Sequence, residues 1–304
     1  MDGLIVDKMM RPFNDNTSKL KTKEYYNRVI SFCSKYSFGY HPMISAASLD
    51  YQKENYKTWL KILHLMYPTE EEFKANFGKV MQLVVRNNDW TDENIEKYLS
   101  WLNFLIDTDK KEYFDNDNKL FFDNIFTHKI DEYQEVSYLP YLISEYPSFS
   151  CTIGGMLCIR LGDLAICPCH RTAYDKYLLG KFEVKDDKII GIKANNVQLA
   201  SAIYLTNTLI KPKCGECPIS LICIKGCLGS QYENTNEIFY PVDSVCHLLK
   251  VKYLFLYIKF NKMLKENNLK VSDYKPLILL STKIKNLLQS EDLSKWIQYI
   301  QSLV

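Results

Sequence analysis

The chain has 304 residues, is 47% hydrophobic and carries 38 Lys and Arg against 36 Asp and Glu, a net charge of +2. That length admits two domains, and the charge balance leaves no footprint for a nucleic acid or a membrane surface, so neither is expected as a partner. Residues 1–13 lack the apolar run and cleavage site of a secretory signal, and no stretch of about 18 apolar residues occurs, so a cytoplasmic chain without a spanning helix is expected.

Residues 1–20 read as irregular, with Pro12 and a polar run at 14–18. Tyr26, Val29, Ile30 and Cys33 fall at helical spacing in a helix over 23–35, which makes Cys33 a core residue. Residues 38–44 read as a strand, with His41 in a structural role before Pro42. A helix over 51–67 ends at Pro68, a further helical piece covers 70–77, and 80–85 is an apolar run of the kind buried on both faces of a parallel sheet. Thr91 is an N-cap with Asp92 and Glu93 in the first turn, and Ile95, Tyr98, Leu99, Leu102, Leu105 and Ile106 form one apolar stripe behind it. Helices alternating with strands predict α/β units, but two strands are too few for a closed barrel or a doubly wound sheet. Residues 107–135, rich in Asp, Asn, Lys and aromatics, read as an extended surface insertion with some helix.

From Cys151 the character changes, because nine of the ten cysteines lie in 151–246. Turns at Gly154-Gly155 and at 161–163 make 157–164 a small hairpin, and 195–210 reads as a helix. Residues 251–260 carry Lys252 and Lys259 and read as an amphipathic helix; a break near Pro276 and a last helix over 293–303 follow. There is no Gly-rich phosphate loop, no G-x-S-x-G and no H-E-x-x-H, and no catalytic residue is assigned.

Residues 214–227 hold Cys214, Cys217, Cys223 and Cys227 in the spacing C-x2-C-x5-C-x3-C. So short and apolar-poor a run cannot fold by burial alone, which leaves disulfides, zinc or iron–sulfur clusters. A reducing cytosol disfavours disulfides, and the crowding is awkward for one tetrahedral zinc. Two cubane clusters need eight thiolates, and Cys151, Cys158, Cys167, Cys169 and Cys246 bring the local supply to nine.

The series Cys151, Gly162, Cys167, then 214–227, then Cys246 resembles the SPASM domain, the auxiliary-cluster domain of many radical S-adenosylmethionine enzymes. The resemblance covers about residues 149–250. It implies two [4Fe–4S] clusters. Cys214, Cys217, Cys223 and Cys246 would hold one, and Cys151, Cys158, Cys167 and Cys227 the other, with Cys169 as a possible replacement for Cys167. His170 and Arg171 read first as solvated turn residues and second as polar neighbours of the ligand.

The enzymes of that family bind S-adenosylmethionine through C-x3-C-x2-C, and this motif is missing here, since Cys33 is followed next by Cys151. Met1-Asp2-Gly3, Tyr40 to Ser45 and Leu83 to Asn87 are nonetheless similar to the later strands of the family's partial (β/α)6 barrel. The resemblance thus implies an α/β (α+β) chain in three parts. Residues 1–148 would be a barrel remnant with an insertion, 149–250 the SPASM domain and 251–304 a helical extension. It would be the auxiliary portion of a peptide maturase, truncated or split and unable to cleave S-adenosylmethionine alone. Its partners would be a ribosomally made peptide and a separate chain carrying the missing half. The other reading is a non-catalytic iron–sulfur or zinc-binding interaction module.

Overall fold

The computed structural model describes residues 43–75, 83–84, 87–127, 158–205, 214, 216–220, 223 and 227–304, and six positions between 24 and 35. Those six (Glu24, Asn27, Arg28, Ser31, Phe32 and Lys35) are helical and exposed; Cys33, His41 and Cys151 lie outside the described residues. The chain divides into two compact units. One comprises Met1–Val85, Asp89–Ile143 and Lys250–Val304, and the other Arg86–Asn88 and Ser144–Leu249.

In the first unit, β1 (Met43–Ile44) pairs in parallel with β2 (Leu83–Val84), with Met43 opposite Leu83. A parallel pair needs a crossover, supplied here by α1 (Leu49–Met66) and α2 (Glu70–Ala75). The exit from β1 is tied down by Ser48 Oγ and Gln52 Nε2, which donate to the Met43 carbonyl at 3.1 and 3.0 Å. Helix α3 (Asp92–Phe114) begins where the sequence predicts, with Thr91 Oγ1 accepting from the Asn94 amide at 3.3 Å. Its stripe is fully buried from Ile95 to Ile106 and packs on α1, where Tyr56 meets Trp101 edge-on at 5.8 Å.

Two expectations are corrected in this unit. Residues 107–127 are not a surface insertion. Helix α3 runs on to Phe114, left-handed Asp115 and Asn116 turn the chain, and α4 (Asn118–Thr127) follows. Phe121 and Phe122 are completely buried, the latter against Phe260 at 5.8 Å and Tyr274 at 5.3 Å. The aromatics outweigh the polar residues around them because a buried ring removes far more apolar area from water than an exposed Asp or Lys costs. The segment 251–260 is likewise not amphipathic. Within α7 (Asp243–Glu266), residues 251–256 are buried on every side, and Lys259 enters the core by pairing with Asp107 at 2.6 Å. The last helices, α8 (Lys275–Ile284) and α9 (Ser294–Leu303), belong to this unit too, Trp296 and Ile300 of α9 being buried.

The second unit is built on a four-stranded antiparallel meander in the order β3-β4-β5-β6. Strands β3 (Cys158–Arg160) and β4 (Ala165–Cys167) form the expected hairpin. Gly162 is not what shapes its turn: a Cβ there would meet open space, and Leu164 takes the left-handed conformation instead. Strands β5 (Gly180–Lys185) and β6 (Lys188–Ala194) form a second hairpin that the sequence reading overlooked. Its signal was alternation on either side of Asp186-Asp187, both with positive φ as a primed two-residue turn requires. Helices α5 (Val197–Leu205) and α6 (Leu228–Thr235) complete the unit. Buried Tyr177, Leu228 and Ile238 form a compact apolar cluster within it.

Candidate metal centre

None of the eight described cysteines is in a disulfide. They fall into two groups, each assembled from separate elements.

The first group draws on the cysteine run and on α7. Cys214, Cys223, Cys227 and Cys246 line one recess with about 360 Å³ of empty space, solvent-connected space included, together with Pro241, Val242, Val245 and Leu249. Two turns carry the run: the Cys217 amide donates to the Cys214 carbonyl at 3.2 Å, and the Cys223 amide to the Ile219 carbonyl at 2.8 Å. Ile219 anchors the loop at 1% exposure. Cys246 enters from the first turn of α7, its amide bonded to the Val242 carbonyl at 3.0 Å. Burial pushes the Cys246 thiol up to about 12, and the neighbouring Cys223, Cys214 and Cys217 add to the effect. A helix N-terminus alone would favour the thiolate, so desolvation and thiol crowding win here.

The second group sits on the β3–β4 hairpin. Cys158 and Cys167 are directly opposite in the register, so both side chains leave the same face of the sheet. Cys167 is fully buried, and burial raises its thiol pKa; the Arg160 guanidinium opposes the shift, while Cys158, Asp163 and Cys169 reinforce it. The hairpin is braced by Arg160, which donates from Nε to Asp163 Oδ1 at 2.8 Å and from Nη2 to Oδ2 at 2.6 Å, and caps the Ala173 carbonyl at 3.1 Å. That guanidinium holds the Asp163 carboxyl down at about 2. Cys169 starts a short 3-10 turn (His170–Thr172), its Sγ lying 3.4 Å from Thr172 Oγ1 and its side chain packed against the Tyr177 cluster.

Arg171 connects this turn to α6, which corrects its reading as a solvated turn residue. Its Nη1 donates to Ser230 Oγ at 2.7 Å and reaches Cys227 Sγ at 3.9 Å, while Nη2 pairs with Glu233. The approach is possible because residue 229 is glycine: a Cβ there would stand 2.4 Å from Arg171 Cβ. His170 is exposed.

Among the described residues, no group of three or more His, Cys, Asp or Glu side chains is arranged to hold a single metal ion. The thiols of the first group instead ring a recess. Among the described residues no helix is long and apolar enough to cross a membrane. Comparison with known proteins returned no match: no family model, no curated protein and no solved structure is similar to the chain.

Proposed function

We propose that the second unit is an auxiliary iron–sulfur module of the SPASM kind, holding two [4Fe–4S] clusters for the cytoplasmic modification of a ribosomally made peptide. Cys214, Cys217, Cys223 and Cys246 would hold one cluster. Cys151, Cys158, Cys167 and Cys227 would hold the other, with Cys169 in reserve for Cys167. The observation that carries the reading is the recess at which Cys246, from a helix, meets Cys214 and Cys223, from a loop more than twenty residues earlier; Cys227, given to the other cluster, lines the same recess, and Cys217 is not in its lining. Cysteines brought together from distant segments and left without a disulfide support the reading of a metal site.

Bound clusters would supply one-electron transfer and, at an incompletely ligated iron, a place for a substrate thiolate or amide. The chain's own residues do the rest. Val242, Val245 and Leu249 exclude water from one side of the recess. Arg160 and Asp163 hold the hairpin that presents Cys158 and Cys167. Arg171 orients Cys227 and offers its sulfur an N–H donor.

The first unit fits the later part of a partial (β/α)6 barrel. Its support is the parallel β1–β2 pair with a helical crossover. Residues 1–304 do not contain C-x3-C-x2-C, so cleavage of S-adenosylmethionine would need that motif supplied from outside them.

Anaerobic reconstitution tests the proposal: about eight irons and eight sulfides per chain are expected, with a broad visible absorption. A colourless protein with one or two zinc ions would overturn it. Addition of a chain carrying the missing motif then separates the maturase from the module, by whether S-adenosylmethionine is cleaved under reduction.

A further inference from the structure

The β5–β6 hairpin has a feature that cluster binding does not use. Directly opposed residues share a face, so Val184 with Ile189, and Phe182 with Ile192, make one side apolar, while Lys181 with Lys193, and Lys185 with Lys188, make the other basic, four lysines against the single carboxylate of Glu183 opposite Gly191. Ile190 is the extra residue at the irregularity opposite Glu183 and Val184. The apolar side is uncovered: Ile189, Ile190 and Ile192 are 62%, 64% and 59% exposed, and Val184 is 46% exposed. Strand β6 is also the edge of its sheet. The Asn195 amide donates to the Leu179 carbonyl at 2.9 Å, which makes Gly180↔Ala194 a non-hydrogen-bonded pair. By alternation Phe182↔Ile192 is another, so the N–H and C=O of Ile192 and Ala194 point out of the sheet.

We propose that this edge docks an extended acidic peptide segment, which adds to β6 as a fifth strand. The ladder would come from the outward groups of Ile192 and Ala194. Alternate side chains of the peptide would lie against Ile189 and Ile192, and the intervening carboxylates against Lys188 and Lys193. Those lysines are the only charged residues of β6, and both are exposed, which is what selects an acidic occupant. A second copy of this chain would bring lysines to lysines, and like charges across strands are unfavourable. The inference deepens the peptide partner named above, yet it uses no cysteine and no metal.

The test is fluorescence anisotropy on the full reconstituted chain, with a labelled ten-residue peptide of alternating glutamate and valine. Saturable, salt-sensitive binding is expected, together with slowed hydrogen exchange at the Ile192 and Ala194 amides. Ile192→Pro removes an outward donor that the β5–β6 ladder does not use, and edge strands tolerate proline there. That variant, and separately the pair Lys188→Glu with Lys193→Glu, should weaken binding by about tenfold or more. Four results would overturn the proposal: no saturable binding, equal affinity for a lysine–valine peptide, unchanged affinity in the charge-reversed pair, or self-association through β6 instead. Iron is measured on the same samples, so an iron-loaded chain that ignores the peptide defeats only the docking site, and an iron-free chain that binds it defeats only the clusters.

Discussion

In the first unit Tyr56, Trp101, Phe121, Phe122 and Phe260 are buried and in ring contact with one another or with their neighbours. In the second, Tyr177, Leu228 and Ile238 form one apolar cluster among the described residues, with Cys169 packed against it. An aromatic core of the first kind stabilises through area removed from water. A cluster of the second kind is small for the strands, turns and loop it must order, and the ordering entropy of those residues remains to be offset. With the clusters bound as proposed, two parts of one chain would draw stability from separate sources: burial in one, thiol ligation in the other.

Metal removal should break the comparison most visibly. Chelation of the iron-loaded protein is expected to expose residues 144–249 to proteolysis and fast hydrogen exchange, since ligation free energy in such domains is folding free energy. The helices of the first unit should keep their protection. Equal loss in both units would contradict the division.

The reverse experiment is Phe122→Ala. Phe122 is fully buried between Phe260 and Tyr274, so its truncation should cost the first unit about 3–5 kcal/mol in denaturant unfolding. Iron content should not change.

Asp109 sharpens the contrast through pH. It is 2% exposed and accepts a hydrogen bond from Tyr56, and burial outweighs that bond and pushes its carboxyl up to about 8. The folded state therefore keeps a proton that the unfolded chain releases near the ordinary value of about 3.9. Its contribution is complete below that value and is lost as pH rises towards 8, at about 1.4 kcal/mol per pH unit, or roughly 3 kcal/mol between pH 5 and 7. Asp109→Asn should flatten this slope in melts of the first unit and leave the second unchanged.

Smaller effects should stay local. Gly229→Ala forces Arg171 away from α6, because the new Cβ would stand 2.4 Å from Arg171 Cβ and 2.9 Å from its carbonyl oxygen. A loss of about 1–3 kcal/mol is expected in the second unit, together with faster alkylation of Cys227 in the metal-free protein. Thr91→Ala removes the N-cap of α3 and should lower the first unit's stability by about 1 kcal/mol.

Local chemistry made several features readable in advance. Thr91 followed by acids starts a helix because unpaired amides at a helix end need an acceptor, wherever the helix later packs. The β3–β4 hairpin was readable from its turn residues, although the left-handed position proved to be Leu164 rather than Gly162. The clustering of nine cysteines was likewise open to reading, since their spacing is a property of the chain alone.

What composition misjudged was settled by distance along the chain. Residues 107–127 look polar one by one, and only the arrival of Phe260 and Tyr274 from far downstream gives Phe121 and Phe122 something to bury against. Lys259 sits inside because Asp107 meets it there. Arg171 acquires its role only where α6 offers Ser230, Glu233 and the gap at Gly229. Taken alone, the sequence determined the helix starts, the turns and the supply of thiols, because those depend on neighbours within a few residues. The tertiary structure decided which thiols share a recess, which charges are buried and which sheet edge stays open, because each of these depends on partners that the local chain cannot see.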